Sequence, residues 1–513
     1  MWIALAWFLR SVLLGGLLTG AVVAAATPIV PDALLGHIRF LASDELKGRA
    51  NGGLQLEQAA DYIAAQFEAA GLRPGGPDGE WFQPFELTAG LTIGEDNSLV
   101  VRAGTRSVSL SLGESYYPLA ASPTDGASSA PMDLKGVPLV FAGYGISAPE
   151  LDYDDYARLD VAGKAVLIFS HEPQENQRDS RLDGVRPIRA TTLESKARAA
   201  RSRGALALLV VSDPTHRVDQ ANYPIFTIDS EAEDHQIPVL RIGRDQMAPL
   251  LLAWGLDDLA ASTDRDLMPR GRPLAGATLD YTQRLSLNRR TVRNVVGILD
   301  GSDGARSAEA VVLGAHYDHV GLGGRLSSAP ERTGEIHNGA DDNASGVAAL
   351  IEIARSAATD RARFPRSLVF VAFAGEERGL LGSRHYASAP VIPLADTVMM
   401  VNLDMIGRSQ GSVEVGGLAT TPALQPDVDA AARIADIKIS QGGPGAGRSD
   451  DSSFNDRRVP ALHFFTGFHD DYHRPGDDWN LIDARGTARV ATLALELAAR
   501  IAARQDPPTF GAR

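Results

Sequence analysis

The sequence predicts an α/β fold in which a mixed, mostly parallel sheet is flanked by helices and a β-rich domain is inserted into the chain. From Asn294 onward, short continuous apolar runs alternate with helical stretches, as strands buried on both faces of a parallel sheet do. Before that point, residues 122–285 have a different pattern of short strands ended by glycine or polar residues. A chain of 513 residues also exceeds one compact core, so two or three folding units are expected.

The principal domain is predicted from apolar runs in the C-terminal half. Five of these runs are predicted strands, namely residues 295–299, 311–315, 368–374, 398–403 and 460–465. Residues 345–357 and 422–435 lie between them and have helical periodicity. Near the N-terminus, residues 34–46 and a segment ending at Gly71 are also predicted helices.

The remaining elements complete the predicted domain organisation. Residues 91–112 alternate as short strands, and Thr191 with Glu194 forms a capping-box pair that opens a helix through Arg203. The predicted division is a leader over 1–26, a first part of the principal domain over 27–121, the inserted domain over 122–285, the main core over 286–503 and a tail over 504–513.

Composition excludes several classes of protein. The formal net charge of -15 argues against nucleic acid or an anionic membrane surface as a partner. The chain has no cysteine, which excludes disulfides, thiolate metal ligands and a cysteine nucleophile. A serine hydrolase is also disfavoured, because Gly-x-Ser-x-Gly follows none of the predicted strands.

The first residues are typical of an export signal. Arg10 precedes an apolar run over residues 12–23, and small residues ending at Ala26 offer a cleavage site. An uncleaved membrane anchor is the alternative, because residues 2–9 are also apolar. We expect cleavage near Ala26, a periplasmic or extracellular protein, and no stable membrane insertion after the signal is removed.

Candidate metal ligands follow the predicted strands. His316 comes directly after one strand, Glu376 and Glu377 follow the next, Asp404 follows a third, and His473 lies in the loop after the last. In an open α/β sheet, ligands bind outside the carboxyl ends of the strands. The sequence therefore predicts that these side chains converge on one crevice.

A further segment, Asn338 to Gly346, leads into a predicted helix and contributes Asp342. The two oxygens of one carboxylate offer independent lone pairs, so Asp342 can bridge two metal ions. Imidazole and carboxylate are the ligands that catalytic zinc takes. Two zinc ions are therefore expected, and Co²⁺ or Mn²⁺ fits the same ligand set.

The arrangement predicts hydrolysis. A water held by two zinc ions becomes a hydroxide near neutral pH and can attack a peptide carbonyl. Glu376 suits the general base if Glu377 is a ligand, because adjacent residues on a turn point in different directions. Asp318, two residues after His316, is suited to hold the other N–H of that imidazole.

These motifs resemble those of the two-zinc exopeptidase family that includes leucyl-type aminopeptidases, glutamate carboxypeptidases and the transferrin receptor. The resemblance covers about residues 293–503, and the middle segment resembles a protease-associated domain inserted into the zinc-exopeptidase (phosphorylase-like) fold. The matching motifs are His316-Tyr-Asp318, Gly339-Ala-Asp-Asp-Asn-Ala-Ser-Gly346, Glu376-Glu377, Asn402-Leu-Asp-Met-Ile-Gly407 and Asp471-Tyr-His-Arg-Pro475.

The resemblance implies a role for each matching residue. It makes Asp342 the bridging ligand, and it makes Glu376 the base. Tyr472 would donate its hydroxyl to the developing oxyanion. The remaining ligands divide between the metals, with His316 and Asp404 at one and Glu377 and His473 at the other.

One segment departs from the family's pattern. Residues 448–454 resemble a stretch that often reads Ser-Asp-His, and Asp451 stands where that histidine would be. The resemblance places this stretch near the substrate pocket, so substrate preference is open. Arg448 alone does not indicate a pocket for a substrate α-carboxylate.

The leading functional prediction is an aminopeptidase that removes N-terminal residues from peptides with a free N-terminus. A carboxypeptidase or dipeptidase on the same metal pair is the alternative. A glutaminyl cyclase is weaker, because that chemistry needs one zinc. A receptor-like protein with a retired site predicts a missing base or ligand, whereas both Glu376 and Asp342 are present.

Overall fold

Two β-sheets with separate hydrophobic cores organise the chain. The computed structural model describes residues 27–119, 132–177, 179–182, 184, 188–215, 237–324, 326–441 and 449–511. The predicted export signal over residues 1–26 lies outside this part of the chain. Among the described residues, no helix combines the length and apolar character needed to cross a membrane.

The first sheet has nine strands, numbered here in chain order over the whole molecule. Eight of them run in the order β1-β13-β15-β14-β16-β19-β17-β18, and β2 pairs with β13. Their bounds are β1 Arg73–Pro74, β2 Phe82–Ile93, β13 Leu285–Leu299, β14 Ala310–His316, β15 Ser367–Phe373, β16 Thr397–Leu403, β17 Ser412–Gly416, β18 Lys438–Gln441 and β19 Ala461–Phe465.

The centre of this sheet is parallel. Strand β14 pairs in parallel with β15 and β16, and β16 pairs in parallel with β19. Every residue of β14, β15 and β16 is buried, which explains their continuous apolar sequence. The prediction of a mixed sheet flanked by helices is confirmed, although the parallel pairings of this sheet are matched in number by antiparallel ones, through β1, β2, β13 and β17.

Helices cover both faces of the first sheet. Five pack on one face, namely α1 Pro31–Leu41, α2 Leu54–Ala69, α6 Gly346–Thr359, α8 Gln425–Ala435 and α10 Ala484–Ala503. The opposite face packs against α7 Leu381–Ser388 and α9 Asp451–Asn455 through Tyr386 and Phe454. Helix α10 buries thirteen of its residues, because it packs against both α8 and α6.

The second sheet has eight strands in the order β4-β3-β12-β6-β9-β10-β11-β5. Their bounds are β3 Ser98–Ala103, β4 Arg106–Leu110, β5 Tyr116–Leu119, β6 Met132–Phe141, β9 Ala165–Phe169, β10 Ala207–Val211, β11 Val239–Ile242 and β12 Arg272–Gln283; β7 Ser147–Ala148 and β8 Tyr153–Asp154 form a separate pair. Because β3, β4 and β5 precede residue 122, we propose that the inserted domain begins near residue 98.

Three helices pack on the second sheet, α3 Leu193–Ser202 on one face, α4 Arg244–Ala253 and α5 Leu256–Asp266 on the other. The predicted cap of α3 is corrected by one residue. Thr192 is the N-cap, and its hydroxyl accepts from the backbone N–H of Ser195. The hydroxyl of Thr191 instead donates to the carbonyl of Ile188, in the turn that precedes the helix.

An antiparallel ribbon connects the two sheets. Strand β2 pairs with β13 from Phe82 opposite Val295 to Ile93 opposite Leu285. The second sheet continues from both strands, through β3 and β12. The chain therefore leaves the first sheet along β2 and returns to it along β13.

Candidate metal centre

The carboxyl ends of four parallel strands bring the predicted ligands together. His316 is the last residue of β14, Glu376 and Glu377 follow β15, Asp404 follows β16, and the loop after β19 carries His473. Because these strands are neighbours in the sheet, their ends lie along one edge. The crevice predicted from strand order is the place where these side chains meet.

Asp342 reaches the same place from a turn in front of α6. Gly339 adopts a left-handed conformation with φ of 59°, and residues 340–345 form an irregular π-helical turn that is wholly buried. The amide of Asn343 fixes this turn, because it donates to the carbonyl of Leu403 at 2.9 Å and accepts from the N–H of Gly346 at 3.0 Å. The turn is therefore fastened to the end of β16, next to Asp404.

The carboxylate of Asp342 lies between two groups of potential ligands. Its Oδ1 is 3.3 Å from Nε2 of His316, and its Oδ2 is 3.1 Å from Nε2 of His473. Ligand atoms lie within 4.8 Å of one another in two sets, which are His316, Asp342 and Asp404, and His319, Asp342, Glu377 and His473. One carboxylate shared by two sets of imidazole and carboxylate ligands is suited to a pair of zinc ions.

In the first ligand set, the imidazole of His316 is protonated when no metal is bound. Nε2 of His316 is 3.4 Å from Oδ1 of Asp404. Burial opposes a charge on His316, but Glu376 and Asp404 outweigh burial and raise its pKa well above the usual value. This imidazole therefore carries a proton that a metal ion must displace.

In the second ligand set, the imidazole of His473 is likewise protonated when no metal is bound. Nε2 of His473 is 3.1 Å from Oε2 of Glu377. Burial opposes a charge on His473, but Glu377 and Asp342 raise its pKa to about 11. Burial alone would raise the pKa of Glu377, but His473 and His319 together lower it to about 2. Nδ1 of His473 lies 2.7 Å from the carbonyl of Leu326, which turns Nε2 toward the carboxylates.

Glu376 faces the site without joining either set of ligands. Its Oε2 is 3.9 Å from Nε2 of His316. Burial raises the pKa of Glu376 well above its usual range, and the carboxylates of Glu377 and Asp404 add to the rise. A carboxyl group with a raised pKa beside the ligands has the character of a general acid or base.

Asp318 holds the turn that carries both glutamates. Its Oδ1 accepts from the N–H of Glu376 at 3.1 Å, and its Oδ2 accepts from the N–H of Glu377 at 3.2 Å. Nδ1 of His316 lies 3.2 Å from the backbone carbonyl of Asp318 and 3.8 Å from its carboxylate. The backbone, rather than the predicted carboxylate, is thus the nearer partner of this imidazole. Asn51 donates to Oδ2 of Asp318 at 2.6 Å.

His319 is a site residue that the sequence analysis missed. Its Nδ1 is 2.8 Å from Oε1 of Glu377 and 3.9 Å from Oδ2 of Asp342. Its ring meets that of His473 edge to face, with centroids 5.4 Å apart. The run His316-Tyr-Asp-His319 contains the signal that could have found it, since both histidines follow the same strand.

Tyr472 lies beside the metal centre, where it packs against the next residue, His473. Its ring stacks on that of His473 with centroids 4.0 Å apart and meets Phe468 edge to face at 4.9 Å. Burial raises the pKa of the Tyr472 hydroxyl, and Asp342 and Glu377 add to the rise. The hydroxyl therefore stays protonated and able to donate.

Asp451 is the first residue of α9. It is buried, and one oxygen accepts from Nδ2 of Asn455 at 3.2 Å. Its other oxygen is 3.8 Å from Nδ1 of His463, a residue of β19. The adjacent Asp450 is also buried, and burial raises its pKa to about 7. Arg448 lies outside the described residues.

Comparisons with known proteins agree with this architecture. Residues 294–498 match the model of peptidase family M28, and residues 118–250 match that of the PA domain. The fold belongs to the α/β class, with potential metal ligands at the carboxyl ends of the parallel strands and a β-rich domain inserted into the chain. The chain carries a domain of peptidase family M28 and a PA domain, as the motifs indicated.

Solved structures share the fold over nearly the whole chain. An aminopeptidase from Aneurinibacillus sp. strain AM-1 is 22% identical, with a TM-score of 0.56 over 94% of this chain and 97% of its own. A zinc aminopeptidase from Bacillus subtilis is 20% identical, with a TM-score of 0.50 over 92% of this chain and 94% of its own.

Curated relatives match a smaller part. Aminopeptidase YwaD from Bacillus subtilis is 28% identical over 37% of this chain and 41% of its own length. A probable zinc metalloprotease from Pyrenophora teres f. teres is 37% identical over 23% of each protein. The chain thus spans less than half the length of these relatives.

Proposed function

We propose that this chain is a secreted or periplasmic aminopeptidase that uses two zinc ions to remove N-terminal residues from peptides. The observation that carries the proposal is the position of Asp342, whose two oxygens face His316 on one side and His473 on the other. The M28 domain match and the names of the relatives support a peptidase. The two sets of ligand atoms that share Asp342 support two metal ions rather than one.

Each predicted site residue has a proposed role. The first metal would be held by His316 and Asp404, the second by Glu377 and His473, with Asp342 shared between them. When bound, the metal pair supplies Lewis acidity and lowers the pKa of a water molecule. Co²⁺ and Mn²⁺ are proposed substitutes for Zn²⁺.

The remaining residues handle the proton and the substrate. Glu376 takes the proton of the attacking water and passes it to the leaving amine, because its carboxyl group lies beside His316 without joining a ligand set. The Tyr472 hydroxyl donates to the developing oxyanion. Asp318 positions Glu376 and Glu377 through their backbone N–H groups. The free amine of a substrate is held by the carboxylates around the metals.

The experiment that tests the activity is hydrolysis of a panel of aminoacyl-nitroanilides before chelation, after chelation and after zinc is restored. We expect release from free-amine substrates that is lost on chelation, recovered with zinc, and absent for N-blocked substrates. Release from C-terminal or dipeptide substrates alone would favour the carboxypeptidase or dipeptidase alternative. No release from any of these substrates by a zinc-loaded protein would favour a receptor-like protein.

The bridging role of Asp342 has its own test in metal content. Replacing Asp342 with alanine removes a ligand from both sets, so zinc should be lost from both. We expect elemental analysis to find about two zinc ions in the unaltered protein and close to none in the variant. An unchanged zinc content in Asp342→Ala would remove Asp342 from the bridging role.

Secretion is proposed from residues 1–26, which lie outside the described residues. Mass spectrometry of protein recovered from outside the cytoplasm should find a mature N-terminus close to Thr27. A chain that retains residues 1–26 and sediments with membranes would support the uncleaved anchor instead.

A further inference from the structure

Asp477 is a buried carboxylate that lies outside both ligand sets. It follows His473 by four residues, and its side chain is fully buried. One oxygen, Oδ2, accepts from two successive backbone N–H groups, those of Asp341 at 2.9 Å and Asp342 at 3.0 Å. Its other oxygen, Oδ1, accepts from the guanidinium of Arg408 at 3.1 Å.

These contacts join three segments that each carry a ligand. The backbone of Asp342 belongs to the turn before α6, Arg408 follows Asp404 by four residues, and Asp477 belongs to the loop of His473. The backbone carbonyl of Asp477 also accepts from the N–H of Ala340 at 3.0 Å, so the two loops are bonded at main chain and side chain. A shift of Asp477 would therefore move the bridging carboxylate relative to the other ligands.

We propose that Asp477 is a positioning residue that sets the metal affinity of both sites by fixing the backbone of Asp342, with Arg408 as its counterion. This inference rests on the proposed function, because it requires that Asp342 bind metal. The physical reason is that a carboxylate accepting two N–H bonds and an ion pair while fully buried is held in one orientation. A partner that orients a ligand in this way typically changes metal affinity by about ten- to a hundredfold when it is replaced.

The test is Asp477→Asn, which keeps the size of the side chain. An amide has one accepting and one donating end, whereas Asp477 accepts at both. If its oxygen faces the two N–H groups, its NH₂ group faces the guanidinium of Arg408. If it is turned over, its NH₂ group faces the two N–H groups and both of those bonds are lost. At least one contact is therefore lost in either orientation.

The matched control is Asp471→Asn. Asp471 lies in the same loop and also contacts Arg408, at 3.4 Å, but among the described contacts of its carboxylate none is with the turn of Asp342. Zinc affinity of each purified protein is measured by competition with a chromogenic chelator, without peptide. The melting temperature of each metal-free protein is recorded alongside.

We expect zinc binding at least tenfold weaker at both sites in Asp477→Asn, and within about threefold of the unaltered protein in Asp471→Asn. Unchanged zinc affinity in a folded Asp477→Asn would overturn the inference, as would an equal loss in both variants.

If Asp477→Asn does not fold, Arg408→Gln tests the same link between Arg408 and Asp477. At least threefold weaker zinc binding supports the inference, and unchanged binding overturns it. A protein that binds zinc but cleaves no peptide would sink only the proposed peptidase, and one that binds no zinc would overturn both proposals.

Discussion

Glu376 is the residue on which the proposed chemistry most directly depends. Its carboxyl group faces Nε2 of His316 but belongs to neither ligand set. Glu376→Gln should therefore keep both zinc ions and lose about a hundred- to ten-thousandfold in kcat, the usual contribution of a general base. Nitroanilide release at saturating substrate, with zinc content measured on the same sample, checks this outcome.

A control separates the role of Glu376 from a general loss of carboxylate charge. Glu331 is exposed in the loop after β14, so Glu331→Gln should leave kcat unchanged. Full turnover in Glu376→Gln would remove this residue from its role. Loss of zinc in that variant would instead make Glu376 a ligand.

Zinc binding should release protons, because both ligand imidazoles are protonated in the metal-free protein. The pKa of His473 is raised to about 11, and that of His316 is raised well above its usual value. Below those pKa values a metal ion competes with a proton at each imidazole, so zinc affinity falls as the pH falls. Titration calorimetry at pH 7.5 in buffers of different ionisation enthalpy should report the release of about two protons when both sites fill.

Glu376 could contribute a further proton to that count, since burial and nearby carboxylates raise its pKa. The same titration of Glu376→Gln isolates this contribution, because a glutamine has no proton to lose in this pH range. A smaller count in the variant assigns the difference to Glu376. A heat of binding that is the same in every buffer would contradict the protonated state of His316 and His473.

His319 illustrates how far the sequence could specify the site. The residues directly after the strands were predicted from position alone, because a strand end is fixed by the apolar run before it. His319 comes three residues after β14 ends, where the path of the chain depends on a bridge between Ala50 and His319. That contact joins residues 269 positions apart, so no local pattern predicts it.

At the scale of the element, the turn before α6 depends on Gly339. Its φ of 59° is left-handed, and a Cβ there would lie 2.2 Å from the carbonyl oxygen of Asp342 and 2.5 Å from Cδ2 of His319. Gly339→Ala should therefore cost more than the roughly 1–2 kcal/mol of a left-handed residue, because the turn must also move away from the new methyl group. Urea unfolding of the metal-free protein, with chelator competition for zinc, should show lower stability and weaker zinc binding together.

Gly71, an exposed glycine after α2, provides the control. Its φ is also positive, at 84°, but a Cβ there meets nothing within 4 Å. Gly71→Ala should show the conformational cost alone and bind zinc as the unaltered protein does. Equal zinc affinity in both variants would mean that the turn adapts to the methyl group without moving Asp342.

The elements themselves were predicted where burial dictates the sequence. Strand β15 was expected over 368–374 and spans Ser367–Phe373, because a strand buried on both faces must be apolar throughout. Where the inserted domain begins is harder to predict, since β3 and β4 have exposed residues and an alternating pattern that fits either sheet. Only their pairing with each other and with β12 assigns them to the second sheet.

At the scale of the molecule, the two sheets form separate cores. The hydrophobic clusters around the first sheet, such as that of Val311 and Leu497, share no described residue with those around the second, such as that of Leu167 and Leu279. Among the described residues, every member of both ligand sets belongs to the first sheet and its loops. The ribbon of β2 and β13 joins the two cores.

This division predicts that zinc stabilises only one of two unfolding transitions. A ligand that binds the folded state raises its stability by mass action, by about 4 kcal/mol for a site held at a thousandfold excess over Kd. Differential scanning calorimetry of the metal-free protein should therefore show two transitions, of which zinc raises the melting temperature of one and leaves the other in place. In Asp342→Ala, zinc should move neither, since both ligand sets lose the shared carboxylate. A single transition, or an equal shift of both transitions, would contradict this prediction. Either result would mean that the ribbon couples the two cores strongly enough for them to unfold together. Metal bound at the first sheet would then also stabilise the second.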